Sequence, residues 1–333
     1  MFVLQNYEWA VVFCIITMFC WGSWANTQKL AKKGWRFELF YWDYTIGVLI
    51  LTLLLGLTLG SNGTAGRPLL EDLGQASHGS VQSALIGGAI FNLANILLVA
   101  AIDIAGMSVA FPVGIGLALV LGVIVNYREN PVGSAALLFG GVVLIVLAII
   151  LDAVAYRKLP GAAAGVSTKG LILSLACGVT MGFFYRFVAA AMYPDFSQPL
   201  PGKLGPYAAV FIFAVGIFFS NFIFGTFIMK KPFVGSPVSF VDYFRGGLGT
   251  HFTGILGGII WGIGMSFNII AAGRAGFAIS YGLGQGATMV AAFWGVFIWK
   301  EFKDAPKGTN RLISAMFACF LVGLALIIVA RTS

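Results

Sequence analysis

The sequence predicts an all-α membrane protein whose ten transmembrane helices form two inverted five-helix repeats. Three observations carry that expectation. Of 333 residues, 59% are hydrophobic and 10% charged, with mean hydropathy +0.94. A soluble domain carries about 25% charged residues, so this chain lacks the means to cover a water-facing surface. The apolar runs are also long and continuous rather than short alternations, which selects helices over barrel strands as the spanning element. Finally, GGAIFNLANILLVAAIDIAGMSVAFPVGIG, from Gly87, is echoed about 170 residues later by GGIIWGIGMSFNIIAAGRAGFAISYGLGQG, from Gly257. Without gaps, Gly87, Gly88, Gly106, Gly114 and Gly116 fall on Gly257, Gly258, Gly276, Gly284 and Gly286. That offset is about half the chain, as a duplication would give.

Runs of about 20 apolar residues between charged or Pro/Gly breaks place spans near 8–30, 39–60, 80–102, 107–127, 132–155, 169–192, 206–229, 250–273, 276–299 and 311–331. Glu8, rather than a basic segment, precedes the first run, which therefore reads as a span and not a signal peptide. Asp103 to Gly106 makes a tight turn between spans three and four, and Pro112 should kink span four by removing a backbone hydrogen bond. The duplicated stretch covers spans three and four in one copy and eight and nine in the other. Each half, 1–160 and 161–333, then holds five spans, and an odd number forces the second half to enter the bilayer from the opposite side.

Lysine and arginine fall unequally on the two sides. Fourteen, among them Lys29, Arg36, Arg157, Lys230 and Lys300, lie on one side and five, such as Arg67 and Lys203, on the other. The excess marks the cytoplasmic face and puts both termini outside, in a bacterial-type inner (plasma) membrane. The net charge of +8 is this topology signal together with affinity for anionic headgroups. Nucleic-acid binding would need a basic soluble surface, for which no chain is left over. Forty-four glycines let helices approach closely in lipid; GIG at 114–116 and GLGQG at 282–286 do not match a dinucleotide fingerprint. The four cysteines sit inside apolar runs without metal-ligand spacing.

A polar group in hydrocarbon must find a partner or face a cavity, so each deep one is a candidate. Trp21, Trp24 and Asn26 fall on span one, Asn92 and Asn95 on one face of span three, Asn268 on span eight, and Tyr281 and Gln285 on span nine. Each has two readings: the tryptophans as packing or as stacking surfaces, the amides as interhelical glue or as ligand contacts. Asp43 either pairs with Lys29 or Lys33 at the cytoplasmic edge or titrates during transport, and Arg186 either snorkels outward or serves Asp43 as partner or gate. His78, His251, Asp152, Lys300 and Glu301 read as interfacial. No clustered catalytic set or metal set is present, so neither an enzyme nor a cofactor or metal is expected. Amides, hydroxyls and aromatic faces with few charges suit a neutral hydrogen-bonding solute such as a sugar, nucleoside or ureide.

CWGSWANTQKLAKKGW in span one, FELFYWDY opening span two and FNLAN in span three resemble the glucose/ribose porter and ureide permease branch of the drug/metabolite transporter superfamily, and more distantly the rhamnose permeases. The resemblance implies uptake of a neutral polar solute, usually with a proton, through a cavity lined by spans one to four and six to nine. It puts Trp24, Asn92, Asn95, Asn268 and Gln285 in lining positions. The long central cytoplasmic loop of plant ureide permeases is missing, so the chain looks closer to bacterial sugar-type members. The expected function is import of a monosaccharide such as ribose or glucose by alternating access. Trp21 and Trp24 would stack on the solute, Asn92, Asn95, Asn268, Tyr281 and Gln285 would bond it, and Asp43 would couple uptake to protons, in a monomer or homodimer. A ureide, nucleoside or nucleobase permease and an uncoupled facilitator are the alternatives.

Overall fold

A computed structural model describes residues 1–159 and 167–333, leaving aside the side chain of Ser108. The expected boundary between repeats, at 160/161, lies outside the described residues. Among the described residues ten helices are long and apolar enough to cross a bilayer: α1 Tyr7–Leu30, α2 Phe37–Leu57, α3 His78–Ala105, α4 Phe111–Glu129, α5 Ala135–Arg157, α6 Thr168–Ala191, α7 Pro206–Lys230, α8 Leu248–Ala275, α9 Phe277–Ile298 and α10 Thr309–Val329. Every expected span is present.

Three of them are not regular α-helices throughout. The last turns of α1, Trp24–Leu30, tighten to 3₁₀ geometry. In α4 the ladder widens to a π-turn over Phe111–Ile115, where Pro112 has no N–H to offer the ordinary bond. The expected kink is therefore a π-turn. α9 is interrupted at Gln285–Gly286 and widens again over Trp294–Ile298. Such breaks free backbone and re-aim side chains at membrane depth, which hydrocarbon tolerates only inside a protein or beside a cavity.

Helix–helix packing has a simple order. α3 packs on α6 and α7, and α8 packs on α1 and α2; α4 meets α6 as α9 meets α1; α2 lies against α7 and α5 against α10. Adding five to every label turns this set of neighbours into itself. The closest approaches obey the same exchange. A methyl group at Gly88 would overlap the carbonyl oxygen of Phe213, and one at Gly216 that of Leu85. In the other half a methyl at Gly258 would overlap the carbonyl of Tyr44, and one at Gly47 that of Ile255. Two α3–α7 contacts thus recur, residue for residue, as two α8–α2 contacts. The turns agree as well: α3 ends on Gly106 (φ 75°, ψ 166°) and α8 on Gly276 (φ 86°, ψ 150°). A side chain at either position would be strained.

Tyr7 Oη donates to the Ile328 carbonyl at 2.7 Å, so both termini lie at one end of the bundle. Large apolar side chains such as Leu54, Phe219, Ile223 and Phe227 stand exposed on the outside of the bundle, as lipid contact requires. The glycine seams set a testable contrast. Gly88→Ala and Gly258→Ala should each lower stability by about 1–3 kcal/mol or prevent folding, because the added methyl meets backbone that has nowhere to move. Gly249→Ala, with no atom near its added methyl, should melt in detergent like the parent protein.

Candidate functional site

A cavity of about 220 Å³ lies at the centre of the bundle. Its walls are largely aromatic: Trp21 and Trp24 from α1, Phe91 from α3, Phe184 from α6 and Trp261 from α8. The rings hold one another. Trp21 stacks on Trp261 at 5.9 Å between centroids, Phe91 lies 4.4 Å from Trp261, and Trp24 sits 4.7 Å from Tyr44. The polar part is small and uncharged, namely Gln28, Asn95, Gln285 and Thr288. Asn95 bonds Tyr41 Oη at 3.2 Å with one half of its amide, leaving the other half for the cavity. Gln285 sits at the interruption of α9, where the broken ladder aims its amide inward.

The cavity continues into a vestibule of about 470 Å³, sharing Gln28, Phe37 and Val99 with it. Arg36, Glu38 and Asp103 stand around this mouth, with Phe233, Val234 and Gly235 as one wall. The opposite end is shut. Thr17 Oγ1 donates to the Gly264 carbonyl at 2.9 Å, Phe13 stacks on Phe267 at 4.3 Å, and Arg274 Nε donates to the Leu4 carbonyl at 2.8 Å. Thr52, Tyr207, Ser266 and Ile270 meet there in a seam without water-sized space.

Trp21, Trp24, Asn95 and Gln285 therefore line the cavity, and the other sequence candidates stand elsewhere. Asn26 accepts from Trp299 Nε1 at 2.9 Å at the end of α1, where the tightened last turns swing it outward. Asn92 donates to the Ile217 carbonyl (3.2 Å) and to Ser220 Oγ (2.8 Å), joining α3 to α7. Asn268 donates to the Ser280 carbonyl (2.8 Å) and accepts from Tyr185 Oη (2.8 Å) in a buried polar knot. It does not face Asn92 or Asn95. Tyr281 Oη donates to the carbonyls of Ala118 and Met181, both at 3.2 Å, its ring lying between α4 and α6 in the space that Gly122 leaves.

The two charged candidates also move. Arg186 pairs with Glu129 at 2.6 Å on a half-exposed flank between α6 and α4, so its partner is Glu129 and not Asp43. Asp43 is 2% exposed and turned from the cavity. Instead of Lys29 or Lys33 it takes a hydrogen bond from Tyr243 Oη (2.6 Å) and meets His251 Nδ1 at 2.9 Å. His251, expected to be merely interfacial, is thus its partner. Burial and the adjoining carboxylate push the Tyr243 phenol well up, so it stays a donor.

Phe91, Phe184, Trp261 and Thr288 are cavity residues that sequence reasoning missed. For one pair the signal was available: Phe91 and Trp261 occupy the same place in the duplicated stretch. Two equivalent aromatic positions beside an exchange axis must come close together.

Comparison with known proteins places this architecture among transmembrane transporters. The profile of the family described as Ureide permease matches residues 40–160 and 162–330. The chain belongs to the ureide permease family. It is 22% identical to Ureide permease 1 of Arabidopsis thaliana over 98% of both chains, and 22% identical to Ureide permease 4 of the same plant at the same coverage. A protein of Bacillus anthracis named Probable glucose uptake protein GlcU is 23% identical, over 72% of this chain and 78% of its own. A crystal structure of another protein superposes with a TM-score of 0.62 at 15% identity, over 98% of this chain and 99% of that one; the fold is shared.

The site separates structural amides from cavity amides, and stability measurements should do the same. Asn268→Leu leaves Tyr185 and Ser280 short of a partner inside the bundle and should cost about 1–3 kcal/mol. Gln285→Leu removes an amide that faces only the cavity and should melt in detergent with the parent protein.

Proposed function

We propose that this protein moves a small, neutral, ring-shaped polar solute across the membrane by alternating access, and that a cyclic ureide is the first candidate. The observation that carries the reading is the cavity itself: aromatic walls enclosing carboxamides and a hydroxyl, with no ionised side chain among its lining. Gln28 and Gln285 present a donating NH2 beside an accepting oxygen, the pattern along the edge of a ureide, and Asn95, whose NH2 bonds Tyr41, adds an accepting oxygen. Flat rings cover the faces of such a solute while the amides of Asn95, Gln285 and Gln28 read its edge. A charged solute entering this space would lose its hydration without gaining a counter-charge.

A monosaccharide is the second reading, favoured by the relative named for glucose uptake and by the same aromatic faces. The sequence reading put it first; the family match to ureide permeases moves it behind.

The alternating-access part rests on the two halves being inverted repeats, which the exchange of neighbours and the paired glycine seams support. Lysine and arginine placement turns the vestibule toward the cytoplasm, so this is the inward-open state, with both termini outside the inner membrane. Under the same exchange, Phe37 and Ala100 of the open vestibule correspond to Pro206 and Ile270 of the shut seam. The seam is then the outward path in its closed form.

Uptake of radiolabelled allantoin and glucose into proteoliposomes tests the reading. Allantoin should accumulate or exchange, and Asn95→Leu and Gln285→Leu should each raise its half-saturation concentration by about 10-fold or more, the loss of a buried hydrogen bond or two. Uptake of glucose alone would favour the second reading. Variants indistinguishable from the parent protein would remove this cavity from the transport path.

A further inference from the structure

The segment between α7 and α8 forms a strap across the end of the bundle that carries the vestibule. Its first part is fastened by Arg36, whose guanidinium donates to the carbonyls of Val234 (2.9 Å) and Ser236 while also pairing with Glu38. This stretch, through Phe233, Val234 and Gly235, is a wall of the vestibule. Its second part carries the short helix Phe240–Phe244, started by Ser239 and Asp242 capping each other. That helix is fastened by Tyr243, which reaches into the membrane-spanning part of α2 to donate to Asp43.

A carboxylate at this depth is expensive unless paired. Asp43 reaches its depth because Gly254 leaves α8 flush against its Cβ. Its pairing is complete: Tyr243 Oη and His251 Nδ1 both point at it. His251 is held edge-on by Trp35 (5.3 Å) and Tyr243 (4.7 Å), and its side chain remains 18% exposed. Protons therefore have one evident route to the buried carboxylate, through the imidazole. The other charged groups nearby are occupied or turned away. Arg36 and Glu38 hold each other on the α1–α2 turn, and Asp242 caps its own helix. Arg245, Lys230 and Lys231 are exposed, and Asp103 stands at the vestibule mouth on α3.

We propose that Asp43, His251 and Tyr243 form a proton-binding site, separate from the solute cavity, that latches the strap. With one proton shared between Asp43 and imidazole, the pair is a carboxylate–imidazolium contact with no net charge, and the strap lies as seen here. When the imidazolium gives up its other proton, on Nε2, to solvent, Nδ1–H still faces Asp43 and a net negative charge is left in a dehydrated place. The strap then lifts so that water reaches the carboxylate. The latch also touches the cavity through α2: on the helix face opposite Asp43, Tyr41 holds Asn95 and Tyr44 lies against Trp24. Proton occupancy and the cavity walls are thus joined by one turn of helix. The proposal rests on the transport reading only in giving the latch a purpose.

The test needs no solute. The chain has two histidines, His78 and His251, so selectively ¹³C-labelled histidine gives two ring signals by NMR, assigned with His251→Gln. Tryptic cleavage after Arg245, an exposed residue on the strap, reports how firmly the strap is held. In the unmutated protein, cleavage should quicken by about tenfold or more as pH rises, tenfold being the equivalent of one pKa unit of linkage, over the interval in which the His251 signal moves. Asp43→Asn removes the charge that deprotonation exposes, so its cleavage should no longer quicken as pH rises, and His251 should show a different pH profile. A cleavage rate that ignores the movement of the His251 signal in the unmutated protein would overturn the latch, whatever the variants do. A chain that carries neither allantoin nor glucose yet shows the linked pH profile would sink the transport reading and leave the proton site standing.

Discussion

Everything in this bundle depends on backbone touching backbone at four glycines. Lipid gives apolar helices no reason to prefer each other over acyl chains, so van der Waals contact at short range must hold them. Gly88 and Gly216 seat α3 on α7, and Gly258 and Gly47 seat α8 on α2, each with a carbonyl oxygen where a side chain would otherwise stand. Contacts of this kind are intimate and smooth together. They hold two helices close without locking them by interdigitated side chains, which suits the alternating access proposed above.

Polar groups inside the bundle divide according to whether a partner is already supplied. Asn92, Asn268 and Tyr281 use their hydrogen bonds on neighbouring helices, and in a low dielectric that fixes the scaffold firmly. Asn95 and Gln285 face a space framed by tryptophan and phenylalanine instead. A solute that meets those amides recovers what it loses by leaving water. Asp43 belongs to neither group, because its partners come from α8 and from a segment outside the membrane. A charge so placed answers to the position of the strap rather than to the solute.

Much of the scaffold was legible in the sequence, since span length, polarity and glycine spacing are set by the bilayer itself. The duplicated glycines from Gly87 and from Gly257 gave the pairing of spans, and Trp21, Trp24, Asn95 and Gln285 were marked as solute contacts by depth and chemistry, with the family resemblance placing all but Trp21 in the cavity lining. Depth does not give direction, which is where the reading failed. Asn92 and Asn95 share a face of α3, yet three residues of rotation send one to α7 and the other to the cavity. Asn26 was misplaced because a 3₁₀ turn at the end of α1 rotates it away from the α-helical face. His251 and Tyr243 were invisible as partners of Asp43, for the contact spans about 200 residues of chain and depends on how a loop folds back.

The central claim is that one chain holds two exchangeable halves, so that closing one mouth opens the other. Electron–electron distance measurements in liposomes test it most directly, with one label pair at Asp103 and Val234 across the vestibule and a second at Thr64 and Arg274 across the opposite end. On changing between solute-free and solute-loaded conditions, with allantoin as the solute, the two distances should shift population in opposite senses, one shortening as the other lengthens. Distances that stay fixed, or that lengthen together, would contradict the account.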